Sequence, residues 1–136
     1  METITKIKLT DTAIEKIKFN DLVFSKVDKD GNLKHRDRLY IPFDVPRKSF
    51  LKGLKLCIHK NSGSMIFIVV FWYQKKPHIY SVGKYIPGSF SIKQVEEKLY
   101  PIYKAHTNDK GYWIANPNET EAKEKVKQER LIESED

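Results

Sequence analysis

The chain has 136 residues, enough for one compact domain and too short for two ordinary ones. Hydrophobic residues make up 40% and charged residues 32%, with a mean hydropathy of −0.56, which argues against both a membrane protein and a fully disordered chain. Residues 1–60 hold 14 Lys/Arg against 8 Asp/Glu, residues 61–116 hold 7 against 3, and residues 117–136 hold 4 against 7, so the body is basic and the tail acidic. A pI near 9.4 points to a polyanionic partner, because cations that neutralise phosphates release condensed counterions. The plain alternative is that the lysines solvate an ordinary surface.

Residues 9–18 read as a short helix, with Thr10 or Asp11 as cap and Ile14 and Ile17 on one side. Asp30-Gly31-Asn32 suits a turn joining DLVFSKVD to LKHRDRLYIPF as a hairpin. Pro42 and Pro46 are expected to break the ladder, leaving residues 44–49 as loop. The clearest signal spans residues 54–85. A strand from Leu54, the turn Asn61-Ser62-Gly63-Ser64, the run MIFIVVFWYQ, a connection over Gln74-Lys75-Lys76-Pro77 and a strand from His78 to Lys84 predict a three-stranded meander. Ser91 and Gln94 have capping-box spacing, and Ile92, Val95 and Leu99 form a helical stripe that Pro101 kinks or interrupts. GYWIANPNETEA reads mostly as loop, anchored by Tyr112, Trp113 and Ile114. Residues 119–131 read as a charged, helix-compatible linker. The expected class is α+β: a three-stranded antiparallel β-sheet packed against a C-terminal α-helix, with a short N-terminal helix. The domain is expected over residues 1–116, with a charged tail over 117–136.

Motifs for chemistry are few. His35-Arg36-Asp37 lacks every other part of a kinase. Asp28, Asp30 and Asn32 have the opening spacing of a calcium loop, but Leu33 stands where the turn glycine is needed. Cys57 has no second cysteine to pair with, and four scattered histidines give no zinc pattern. Asn118-Glu119-Thr120 is a glycosylation sequon with no secretory leader before it, so the expected location is cytoplasmic, without membrane attachment. No metal or other cofactor is expected.

The order of LTDTAIEKIK, LKLCIHK, Ser62-Gly63-Ser64, a long strand bearing Phe67, Phe71 and Tyr73, Val82-Gly83-Lys84-Tyr85 and a Ser91-initiated helix to Leu99 resembles the N-terminal arm-type DNA-binding domain of phage and genomic-island tyrosine-recombinase integrases. The resemblance covers roughly 60 residues by type, and it is the order of the motifs that makes it specific. It implies a sheet backed by a helix, with the opposite sheet face in the major groove of double-stranded DNA. It also implies no chemistry by this chain, because the dispersed Arg, Lys and His groups and the Tyr nucleophile of such a recombinase sit on a separate catalytic domain. Other integrase protomers and accessory recombination proteins are the further partners it implies.

Period-two alternation puts Phe67, Val69, Phe71 and Tyr73 on the core side, and Ile66, Ile68, Val70, Trp72 and Gln74 on the other. The family commonly has arginines at the positions of Val70 and Trp72 and a basic run at Pro77-His78-Ile79. A strand apolar on both sides normally has both covered, and the hairpin within residues 19–50 is the available cover. Trp72 therefore has two readings, packing against protein or stacking against DNA. The candidate DNA-binding residues are Lys55, His59, Lys60, Trp72, Gln74, Lys75, Lys76 and Lys84. The alternative function is a protein-interaction module that uses Ile66, Ile68, Val70 and Trp72.

Overall fold

The computed structural model describes residues 6–18, 22–46 and 49–133; the structural statements below concern these residues. It is a mixed α+β fold with a five-stranded sheet, a separate two-stranded hairpin and three helices. The elements in chain order are β1 (Ile7–Lys8), α1 (Asp11–Glu15), β2 (Ser25–Val27), β3 (Leu33–His35), β4 (Arg38–Asp44), β5 (Leu54–His59), β6 (Met65–Tyr73), β7 (Lys76–Lys84), α2 (Ile92–His106) and α3 (Pro117–Glu133). The large sheet has the order β1-β4-β5-β6-β7, antiparallel except for the short parallel pairing of β1 with β4.

The expected meander is present as β5, β6 and β7, but the sheet is wider than the three strands read from the sequence. Residues 38–44 leave the β2–β3 hairpin and join β5, and the expected break at Pro42 does not occur. Its reason lies in the ladder phase. Val70 donates its N–H to Gly53 C=O at 2.9 Å, so by alternation Lys55 turns its backbone groups to β6, and its partner Pro42 turns its own away from β5. Pro42 has no N–H to leave unbonded there, and β1 pairs only at Phe43 and Asp44. The loop after β4 thus starts at Val45 rather than Asp44, and positions 47–48 of the expected loop lie outside the described residues.

The β6–β7 connection is also tighter than expected. Gln74 and Lys75 have φ of 53° and 64°, the left-handed pair that a two-residue hairpin turn requires, and Lys76 and Pro77 already belong to β7. At the other end of this pair a bulge follows Phe67, and Gly83 sits under the Phe90 ring, 2.6 Å from where a Cβ would lie.

The helices cover one side of the sheet. Thr10 caps α1, accepting from Ala13 N–H at 3.2 Å, and the helix is shorter than the sequence suggests. The Gln94 side-chain oxygen accepts from the Ser91 N–H (2.9 Å) and hydroxyl (2.6 Å), while Asp11 accepts from the Ile92 N–H at 3.0 Å. One carboxylate of α1 thereby satisfies a free donor at the start of α2. Helix α2 runs through Pro101 without interruption. Ile92, Val95 and Leu99 join Ile14, Phe24, Ile41, Phe43, Leu54, Leu56, Ile58, Phe67, Val69, Phe71, Tyr80 and Val82 in one core. The Tyr85 hydroxyl is buried without a partner beside that core, and burial first, then Glu15 and Asp11, push its pKa up.

Of the expected anchor trio only Trp113 packs inward, 4.5 Å from Phe71 and 5.8 Å from Tyr103, whereas Tyr112 and Ile114 are exposed. The segment expected as loop turns helical at Pro117, and the first turns of α3 are fastened to the domain. Asn118 donates to Ile79 C=O (2.9 Å), Tyr80 donates its hydroxyl proton to Glu121, and His106, whose Nδ1–H donates to Ile102 C=O at 2.7 Å, meets Thr120 Oγ1 through Nε2 at 3.0 Å. No helix among the described residues is long and apolar enough to cross a membrane.

Candidate nucleic-acid interface

Register fixes which side chains share the side of the sheet away from the helices. Pairing carries the alternation of β6 across the strands, so Lys8 of β1, Arg38, Tyr40, Pro42 and Asp44 of β4, and Lys55, Cys57 and His59 of β5 lie on one side with Ile66, Ile68, Val70 and Trp72. Pro77, Ile79, Ser81 and Lys84 of β7 complete it. Residues 19–21 and 47–48 of the segment read as available cover lie outside the described residues, and among the described ones cover is not found at the margins of this side. Phe24 beside β2 belongs to the opposite, core side, and Trp72 is 66%, Ile79 48% and Tyr40 40% exposed.

The middle of this face is shielded from water. Ile68 and Cys57 are buried, yet neither belongs to the core cluster. Burial raises the Cys57 pKa, while the positive charge of Arg38 and the Tyr40 hydroxyl pull it the other way, which places both groups beside the thiol. Lys8, Arg38 and Lys84 are exposed cations here, and Lys55 is half-buried beside Ile68. The carboxylate on the face, Asp44, is paired with Lys6 at 3.1 Å. The face thus combines an apolar centre, two exposed rings and, at its margin, cations with no ion pair among the described residues.

The candidate residues fall into two groups. Trp72, Gln74, Lys75 and Lys76 cluster at the β6–β7 tip, all exposed, though the pairing of Lys76 with Tyr73 turns it toward the other side. The second group lies toward the opposite end. Lys84 pairs with Ile66, His59 pairs with Arg38, and Lys60 is exposed in the turn after β5, where its N–H donates to Asp37 C=O at 2.8 Å. Six residues separate Ile66 from Trp72, about 20 Å at ~3.4 Å per residue, so the groups mark the two ends of one surface. Lys55 stands between them.

Sequence reasoning did not include Lys8, Arg38, Tyr40 or Ile79. A usable signal exists in RLYIPF, where Leu39, Ile41 and Phe43 alternate with Arg38, Tyr40 and Pro42. Among the described residues no three His, Cys, Asp or Glu side chains gather as a metal site. Comparison with protein-family models, with curated proteins and with solved structures finds no match for this chain.

Proposed function

We propose that this chain is a non-catalytic DNA-binding domain of the phage-integrase type, which positions a tyrosine recombinase on arm-type sites by docking its uncovered sheet face against the duplex. The observation that supports it most is the joint exposure of Trp72 and of cations with no ion pair among the described residues on a sheet face that the helices leave free. An antiparallel ribbon fits the major groove, and lysines at its ends reach phosphates while the centre meets base edges and thymine methyls. Gln74 at the tip carries the amide suited to adenine.

The test is duplex binding across salt. With about four phosphates neutralised, affinity falls roughly a hundredfold between ~50 and ~200 mM salt, and an affinity indifferent to salt overturns the reading. Lys75→Ala with Lys76→Ala reduces the slope of log affinity against log salt by about 1 with the fold intact, because both side chains stand in water at the tip and Lys76 is turned toward the other side. An unchanged slope removes them from the interface.

The second reading is a protein-interaction surface, favoured by the exposed Trp72, Ile79 and Tyr40. Ile68 is too buried to contribute to it. Such binding is carried by apolar area, so it survives the salt that removes duplex binding.

A further inference from the structure

Among the aromatic rings, Trp72 and Tyr40 differ from those that pack together. Phe43, Phe67, Phe71, Tyr103 and Trp113 contact other rings. Trp72, Tyr40, Tyr80 and Tyr112 have no ring neighbour among the described residues, and of these Trp72 and Tyr40 stand exposed on the sheet face away from the helices. Trp72 lies across the ladder from Pro77 and on the same face as Val70, so its exposed ring is carried on a nine-residue strand rather than on a loop.

A paired duplex offers such a ring little to stack on, because the faces of its bases already cover one another; an unpaired strand offers a free face on every base. Resting on the proposed reading of this face as the DNA site, we infer that it takes an unpaired DNA strand, with bases stacked on Trp72 and Tyr40 and phosphates along Lys55 and Arg38. Tyr40 and Trp72 are two strands apart, about 10 Å across the sheet, and lie near opposite ends along it. A strand crossing on that diagonal passes Lys55, which sits beside Ile68 between them. The charge chooses the occupant. A second copy docked face to face would bring Lys55, Arg38 and Lys84 against their own kind, whereas a polyanion meets them with opposite sign.

The experiment compares an oligothymidine of about 16 nucleotides, within the site sizes of sheet-based strand binders, with a mixed-sequence duplex of equal length at matched salt, read by anisotropy and by tryptophan emission. The oligothymidine is expected to bind at least about tenfold more tightly than the duplex and to quench emission. Trp72→Ala is expected to lose about tenfold of that affinity together with most of the quenching, with Trp72→Phe retaining most of the affinity. Unchanged melting of both variants shows the fold intact. Trp72→Ala binding oligothymidine as tightly as the native chain overturns the inference, as does tighter binding of duplex. Binding of neither probe at low salt overturns both this inference and the duplex reading, while binding of oligothymidine alone overturns only the duplex reading.

Discussion

The two sides of the β6 strand are built from similar residues; Ile68 is buried on the outer side too, but toward the β6–β7 tip the two sides end in opposite conditions. Phe67, Val69 and Phe71 are sealed under α2 and Trp113, whereas Val70 and Trp72, one residue away in each case, face outward from the sheet. Residue type does not separate them; what separates them is that the helices return to one side only. The teaching is that an apolar position becomes core through what packs on it, and the same chemistry left unpacked is a surface with affinity to spare.

The sharpest break of that contrast is Phe67→Ala, which removes a fully buried ring in contact with Phe43, Tyr85 and Phe90 and is expected to lower unfolding free energy by about 4 kcal/mol. Urea denaturation measures it, and a loss below ~1 kcal/mol would show that this side is not the core. Next is Gly53→Ala. Gly53 has φ +88°, and a Cβ there would sit 2.2 Å from the Val70 carbonyl oxygen, so the ladder that sets the phase of β6 must shift, at a cost of about 3 kcal/mol in the same measurement.

A smaller effect comes from Tyr80→Phe, expected to cost about 1 kcal/mol near neutral pH through loss of its hydrogen bond to Glu121. Its signature is in alkali. Burial first, and the Glu121 carboxylate second, raise the Tyr80 pKa well above the ordinary 10. The folded state therefore keeps a proton that the unfolded chain gives up. The stabilisation is whole below pH 10 and declines as pH rises above it, so melting temperature falls less steeply in alkali for Tyr80→Phe than for the native chain. The smallest effect belongs to Trp72→Ala, expected to stay within ~0.5 kcal/mol of native stability because the ring is mostly in water. A large loss there would erase the distinction between the two sides.

Local rules made much of this fold legible. The Thr10 cap, the Ser91–Gln94 pairing, the turn at Asp30-Gly31-Asn32 and the alternation of β6 each depend on residues within a few positions of one another, and all are in place. What escaped depends on distant partners. That β4 joins β5 despite Pro42 follows from ladder phase, which emerges only once Gly53 and Val70 are paired. The start of α3 is held by Tyr80, Ile79 and His106, none of them near it in sequence. The state of the outer face escaped for a related reason. Apolar residues on both sides of a strand ordinarily predict cover on both, and only the exposures of Trp72, Ile79 and Tyr40 reveal that the margins of one side stand in water. The lysines of the candidate site were legible as cations, but their division into two ends needed the register.

The outer margin of β7 illustrates how a domain with a bare sheet face stays separate. Ladder phase turns the Ile79 carbonyl outward, and Asn118 of α3 occupies it; Lys98 of α2 donates to the Val82 carbonyl at 2.6 Å. Two side chains from two helices thus stopper acceptors that an incoming strand from another molecule would seek, which hinders end-to-end fibre growth. Along β7 the greasy, positively charged plane thus ends in a border that is a poorer template for an added strand.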